Sequence, residues 1–401
     1  MVDILHKDKK IALFFKDHND YAINYESHDI KDSIALSLPN SKKLYTWNHR
    51  FPPFLESFLP EGYLYEIFKN IIAKEHGEVN DYLIFSLLAS NIENRVLFKS
   101  TASDFDFPSV DMDEILLNDS SDTFEQLIKI FLNKNAISGV QPKTLAIVKD
   151  KDSLNFKEHI VKTWGDEYPS LAENEYFCLK AVEKAGVPIP KVQLSQNKKF
   201  LVVEKFIYRE NSELWGFEEI ISLMDKNREK KYSGSYEQVA KVIYSFSTDK
   251  KESMKNFFKT VTMNYLLKNG DAHLKNFGLL FSDDFSEIKF APAYDIVNTT
   301  VYIFKDKPAL TLAGKKIWWS KVALLKFAQQ NCFLSKKEAL QAYKECFDAL
   351  KFSIDGVQKY ISSNQDFSII GNRMLDTWKT SLQETDIKEI DNELVRSWKK
   401  S

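Results

Sequence analysis

Glycine is scarce in this chain, 12 of 401 residues, and no two lie closer than Gly270 and Gly278. A Rossmann GxGxxG, a Walker GxxxxGK[ST], a kinase-type GxGxxG and a GxSxG nucleophile elbow each need two glycines within about five residues, so all four are excluded. Any loop that grips phosphate here has to work with one glycine. Cysteine is scarcer still: Cys178, Cys332 and Cys346 are widely spaced and form no CxxC. That argues against structural zinc or a disulfide frame and fits a reducing compartment. The seven histidines form no HExxH. A basic surplus is also missing, since 55 Lys+Arg face 57 Asp+Glu for a net charge of −2. Direct binding to nucleic acid is therefore not expected. The opening MVDILHKDKK has no apolar core of a secretory signal. No run reaches the ~18 apolar residues of a membrane span. A soluble, cytoplasmic protein with no membrane partner is the expectation.

What is present is core material: 44% hydrophobic residues, 13% aromatic, with 30 Phe. Disorder and coiled coil do not fit that composition, and length alone predicts two or three domains at ~150 residues each. Ile11–Phe15, Tyr21–Tyr25 and Ser33–Leu38 read as strands, Phe54–Ile72 and Asp81–Ser90 as helices, and Arg95–Lys99 as a closing strand. Residues 1–103 thus form a small α+β unit. Residues 101–128 hold eight acids and no Lys or Arg. They read as an acidic connector, placed at 104–123, with docking of a basic partner as the alternative. From Phe124 a helix runs to about Asn133, then Leu145–Val148, His159–Thr163 and Lys199–Glu204 read as strands. Asn174–Ala185 reads as an amphipathic helix stopped at Gly186 ahead of Pro188. After Phe217 helices dominate, interrupted by a hairpin at Phe277–Phe281 and Ile288–Phe290, and the tail 321–401 is helical. The expected domains are 1–103, the connector, a β-rich 124–210 and a helical 211–401.

The sharpest segment is NGDAHLKNFGLL, residues 269–280, followed by FAPAYDIV, residues 290–297. Asp271 and Asn276 stand at the D-x-x-x-x-N spacing of a kinase catalytic loop, where a carboxylate orients the attacking hydroxyl and an amide oxygen holds Mg²⁺. Asp295, 19 residues after Asn276 and just past the hairpin, is placed as the second metal ligand. Alone, the spacing is common and Asp295 is equally read as a helix N-cap. Gly270, His273 and Lys275 make the loop too polar for plain core. Lys162, on the strand EHIVKTW, is the candidate for the α/β phosphates, oriented by Glu175, with Glu173 as its competitor. LVVEKF, residues 201–206, resembles a hinge whose backbone at Glu204 and Phe206 meets the adenine edge. NAISGVQPKTLAIV, residues 135–148, reads as strand–turn–strand. Backbone N–H groups at Gly139, Val140 and Gln141 could cradle an anion, with Pro142 stiffening the turn and Lys143 beside it. Taken alone it is an ordinary hairpin. Trp318, Trp319 and Trp378 read as buried, an exposed Trp318–Trp319 pair being the mark of a partner surface instead.

SGVQPKT, IVKTW, ENEYFCLKAVEKAGVPIPK, LVVEKF, GDAHLKNF and APAYD follow the order seen in HipA-type serine/threonine kinases, toxins of bacterial toxin–antitoxin modules. NHRFPPFLESFLPEGYLYEIF resembles that family's N-terminal subdomain, so the likeness covers nearly the whole chain. The resemblance implies an α+β, protein-kinase-like two-lobe fold with a small α+β N-terminal subdomain and a mostly helical C-terminal lobe. It implies ATP with Mg²⁺, Asp271 as catalytic base, Asn276 and Asp295 as metal ligands, and Lys162 on the phosphates. The one-glycine loop around Gly139 would replace the Gly-rich loop; His273 and Lys275 would line the site and Tyr294 border the nucleotide. It implies a protein serine as acceptor, such as one in an aminoacyl-tRNA synthetase. A helix-turn-helix antitoxin of the HipB type is the implied partner, with DNA met only through it. The family autophosphorylates a serine one or three residues before the loop glycine; here the farther position is Ala136 and the nearer Ser138, so Ser138 is the candidate phosphosite. A pseudokinase or regulatory module acting by binding a DNA-binding partner is the alternative.

Overall fold

In the computed structural model the described residues are 1–60, 62, 65–66, 69–70, 72–73, 77, 79–100, 116–117, 152–155, 159–164, 167–208 and 214–383. They belong to two compact units, one drawn from Met1–Ala172, Lys191–Lys230 and Leu280–Glu287, the other from Glu173–Pro190, Lys231–Leu279 and Ile288–Ser401. Among the described residues no helix is long and apolar enough to cross a membrane.

The first unit starts with five antiparallel strands in the order β4-β3-β2-β1-β5. These are β1 (Val2–His6), β2 (Lys9–Asp17), β3 (Asp20–Tyr25), β4 (Leu44–Asn48) and β5 (Leu97–Ser100). Alternation puts Val2, Ile4, Ala12, Phe14 and Ile23 into the core. Helix α1 (Asp81–Leu88) covers that face; the side chain of its N-cap Asn80 accepts from the Leu83 N–H at 3.1 Å. Phe85 of α1 meets Phe14 and Phe98 edge-to-face at 5.7 and 5.3 Å between centroids. The β1–β2 turn is made by Lys7 and Asp8 at φ 49° and 65°, where hairpins usually carry Asn-Gly.

Two expectations fail here. Ser33–Leu38 is not a strand: its backbone bonds go to side chains and to local turns. The Ile34 N–H donates to the Tyr25 hydroxyl at 2.9 Å, that hydroxyl donates to the Leu38 carbonyl, and the Ser37 N–H donates to Glu218 at 3.1 Å. Ile34, Ala35 and Leu38 are still buried, which is why the stretch has a strand-like pattern. Phe54–Ile72 is not one helix. A single turn at Pro53–Glu56 gives way to bent backbone up to Pro60, which has no N–H to continue a helix, before helical residues resume.

The same unit holds a second antiparallel sheet, order β6-β7-β9-β8, from β6 (Asp152–Asn155), β7 (His159–Thr163), β8 (Val192–Leu194) and β9 (Phe200–Glu204). Val161, Phe200 and Val202 join the core under the first sheet. A further strand, β10 (Gly216–Glu219), carries Glu218, whose carboxyl burial raises above its ordinary value, against hydrogen bonds from Ser222 and Ser37 that lower it.

A buried polar network centres on His6. Its Nδ1 lies 2.9 Å from Asp32 and its Nε2 2.6 Å from Asp283. Arg95 donates to the carbonyls of Lys31 and Asp283, each at 3.1 Å, and to that of Ser33. Burial alone would raise the Asp32 carboxyl, but Lys9 at 2.6 Å, the Ser27 hydroxyl and His6 outweigh it and hold the carboxyl at about 2. A carboxyl depressed in the folded state stabilises fully above its unfolded pKa and loses that contribution as pH falls through its folded value. Wild type is therefore expected to lose on the order of 1–2 kcal/mol between about pH 4 and pH 2, the figure discounted because Lys9 is exposed. Urea midpoints of wild type and Asp32→Asn should differ at pH 6 and converge near pH 2; a constant gap would refute the assignment.

The second unit is helical: α2 (Leu171–Lys184, in this unit from Glu173), α3 (Tyr236–Phe246), α4 (Lys250–Leu266), α5 (Lys321–Gln330), α6 (Lys336–Ser363) and α7 (Ser368–Gln383). Ser235 with Gln238 and Ser335 with Glu338 form capping boxes at α3 and α6. Helix α4 lies against α3 and α6 and is buried on nearly all sides over its second half. Gly186, at φ 77°, stops α2 as the sequence predicts, and the buried Lys259 of α4 donates to the Ala185 carbonyl at 2.7 Å. The predicted hairpin is present as β11 (Gly278–Phe281) and β12 (Ile288–Phe290). Trp378 is fully buried, and Trp318 packs on Tyr265 while its indole N–H donates to the Asp306 carbonyl at 3.0 Å, so packing accounts for both. Residues 384–401 of the predicted helical tail lie outside the described residues.

Candidate functional site

The site grows from the end of α4. Lys268, at φ 59°, turns the chain, and Asn269 pins it: its N–H donates to the Asn264 carbonyl and its side-chain amide to the Asn264 side chain, both at 2.8 Å. The Asn269 oxygen then accepts from the Asp271 N–H at 3.0 Å. Between them, the Gly270 N–H donates to the Thr299 hydroxyl at 2.8 Å. A Cβ at Gly270 would lie 2.0 Å from an Asp306 carboxylate oxygen and 2.9 Å from the Lys307 carbonyl, so the segment before Asp271 demands glycine.

Asp271 is held by Tyr232, whose hydroxyl donates to its Oδ1 at 2.8 Å. His273 Nε2 stands 3.9 Å from the same oxygen, and the Asp271 side chain is 37% exposed. A 3₁₀ turn at Leu274–Asn276 brings Asn276 round. Its Oδ1 accepts from the His273 N–H at 3.1 Å and its Nδ2 donates to Asp295 Oδ2 at 2.6 Å. Asp295 has φ 56°, left-handed for a non-glycine residue, a conformation that clusters at functional sites. It is not an N-cap: the next helical turn, Thr299–Val301, is preceded by Asn298. The Tyr294 hydroxyl donates to the Lys275 carbonyl at 2.6 Å, closing the loop on itself. Asp271, His273, Lys275, Asn276, Tyr294 and Asp295 thus sit on two segments tied together within one unit.

Two residues that the sequence reading passed over hold the second segment. Asn174 of α2 accepts from the Asn298 N–H at 2.8 Å and donates to the Asn298 carbonyl at 3.0 Å; Asn298 also donates to Thr377 of α7 at 2.6 Å. Both asparagines are fully buried. The only signal in the sequence was a polar residue on the apolar face of an amphipathic helix.

Lys162 is on β7 in the first unit, buried and opposite Leu201, while Glu175 is fully buried on α2 in the second. Of the two glutamates, Glu173 accepts from the Tyr360 hydroxyl at 3.1 Å. At the hinge, the Glu204 N–H donates to the Lys191 carbonyl at 2.9 Å, so an adenine contact there would fall to the Glu204 carbonyl. Phe206 meets Phe217 edge-to-face at 5.2 Å. Ala136, Ser138, Gly139, Val140, Gln141, Pro142 and Lys143 lie outside the described residues, as do most of the acidic connector and the helix and strand expected at 124–133 and 145–148. Among the described residues no group of three or more His, Cys, Asp or Glu side chains could hold a metal. Asn276 and Asp295 offer an amide oxygen and a carboxylate, hard donors that suit Mg²⁺ when waters and phosphates complete its shell.

The mixed α/β fold is that of a HipA toxin. It is similar to the HipA chain of the Shewanella oneidensis toxin–antitoxin complex of HipA, HipB and operator DNA, with a TM-score of 0.69 at 14% identity over 96% of this chain and 97% of that one. Residues 2–93 match the HipA N-terminal domain and residues 135–353 the HipA-like C-terminal domain, the latter alone more than half of the chain. The chain belongs to the HipA family. Among curated relatives, a Haemophilus influenzae protein named "Putative kinase" is 31% identical over 42% of this chain and 53% of its own length. The chain therefore spans about half of that relative. A Sinorhizobium fredii protein of the same designation is 24% identical over 73% of this chain and 74% of its own.

Proposed function

We propose that this chain is an ATP-dependent protein serine/threonine kinase acting as the toxin of a toxin–antitoxin pair. The observation that carries this reading is the cluster of Asp271, Asn276 and Asp295: a part-exposed carboxylate beside a hydrogen-bonded amide–carboxylate pair. Asp271 takes the acceptor: its carboxylate accepts the serine hydroxyl, aims it and receives its proton as the Oγ–P bond forms and the bond from the γ-phosphorus to ADP breaks. Mg²⁺ would be held by Asn276 and Asp295, and when bound it neutralises phosphate charge. His273 and Lys275 border the same loop, with Tyr294 behind it. Lys162, oriented by Glu175, would contact the α/β phosphates, the backbone at Glu204 and Phe206 the adenine, and the Gly139–Lys143 loop the remaining phosphate oxygens. Phosphate on Ser138 would add roughly two negative charges where the ATP phosphates belong and switch the enzyme off.

The acceptor we propose is a protein serine, in the first instance one in an aminoacyl-tRNA synthetase, whose loss would arrest translation. The likeness to a HipA solved with HipB and operator DNA supports a helix-turn-helix antitoxin as partner. The near-neutral charge agrees with DNA being met through it. The test is transfer of labelled γ-phosphate from Mg-ATP to a bacterial lysate and a panel of tRNA synthetases, comparing wild type with Asp271→Ala by phosphopeptide mass spectrometry. The expected result is a labelled serine that the variant does not produce. Tight ATP binding without label anywhere would replace this reading by a pseudokinase that works through binding.

A further inference from the structure

We propose that Tyr232 is a positioning residue for phosphoryl transfer, holding one oxygen of Asp271 so that the other faces the acceptor hydroxyl. The inference rests on Asp271 being the base proposed above, and it concerns a residue 39 positions away in the chain.

A carboxylate turns easily about its last torsion, which has broad and two-fold preferences. A base that must aim a hydroxyl in line with a phosphoryl group needs that freedom removed, because a misplacement of about 1 Å can cost on the order of 100-fold. Among the described residues the only side-chain hydrogen bond to the Asp271 carboxylate is the one from Tyr232, to Oδ1 at 2.8 Å. His273 Nε2, at 3.9 Å from Oδ1, is beyond hydrogen-bond reach. Among the described residues Oδ2 accepts no side-chain hydrogen bond, and the side chain is 37% exposed. The donor is a neutral phenol, so it orients the carboxylate without setting a fixed positive charge against it, as a lysine or arginine would.

Tyr232 is itself held in place. The Leu274 N–H, inside the catalytic loop, donates to the Lys231 carbonyl at 3.1 Å. Lys316 Nζ donates to the Tyr232 carbonyl at 3.1 Å, and the tyrosine ring stands edge-on to His273 at 5.2 Å. The strap bearing the phenol is thus fastened to the very loop whose carboxylate it orients. Tyr232 keeps 45% of its surface exposed.

The test is Tyr232→Phe, made alone and combined with Asp271→Asn, in single-turnover transfer from Mg-ATP to the acceptor found above or, failing one, to a serine peptide library. Tyr232→Phe is expected to lower kcat roughly 10-fold, the worth of one well-aimed hydrogen bond, with KM for ATP and the melting temperature unchanged. In the Asp271→Asn background it should cost nothing further, because the two residues act as one unit. An unchanged or increased kcat would overturn the proposal, as would an equal loss in both backgrounds. These outcomes all require that wild type transfers phosphate; if it transfers none, the kinase reading itself fails and takes this one with it.

Discussion

Asp295→Asn is expected to lower phosphoryl transfer by about 10³-fold, equivalent to several kcal/mol of lost charge stabilisation. The substitution is a clean one. Asparagine tolerates the left-handed backbone at φ 56° and keeps an oxygen to accept from Asn276 Nδ2, now 2.6 Å away. The fold and the tie to Asn276 should survive, and only the negative charge is removed. Alanine would confuse the result, since it adds backbone strain and deletes the hydrogen bond together. The second readout is Mn²⁺ binding by paramagnetic resonance in the presence of ADP, which should weaken in parallel. Transfer within tenfold of wild type, with Mn²⁺ binding unchanged, would remove Asp295 from the site.

Arg95→Met should destabilise the first unit by about 3–5 kcal/mol, the range for breaking a buried charged cluster. The guanidinium is 1% exposed and satisfies three carbonyls at once, those of Lys31, Ser33 and Asp283, while lying over the Phe285 ring at 4.6 Å. Its removal takes a donor from all three carbonyls, the buried one of Ser33 among them, and leaves Asp283 with His6 and Lys7. Arg95→Lys should rescue little, because a point ammonium can neither span three carbonyls nor stack on an aromatic face. Urea unfolding followed by tryptophan fluorescence measures both variants. A loss under 1 kcal/mol in Arg95→Met would show that water replaces the guanidinium.

The sequence revealed most where one local rule acts alone. Alternation located β2, β3, β7 and β9, and Gly186 marked the end of α2 to within one residue. It failed where turns break the usual chemistry: β1 escaped because Lys7-Asp8 makes its turn instead of a glycine pair, and β4 because only Trp47 of its residues is buried, with Tyr45 half-buried. Ser33–Leu38 misled because burial has a strand-like pattern even when the backbone bonds to side chains. In the site, the D-x-x-x-x-N spacing led to Asp271 and Asn276, and the hairpin to Asp295. Tyr232, Asn174 and Asn298 were illegible, since each acts on a segment dozens of residues away.

The interleaving of the two units along the chain sets an order of events during synthesis. Arg95 and its partner Asp283 are 188 residues apart, so the first unit cannot close its polar network until the hairpin tip has left the ribosome. At the usual 5–20 residues per second, that is a wait of roughly 10–40 s during which the β-sheet of residues 2–100 stands without this partner. A nascent chain released early would carry a charged, half-finished N-terminal unit and no Asp295, which makes truncated translation products ready substrates for proteolysis.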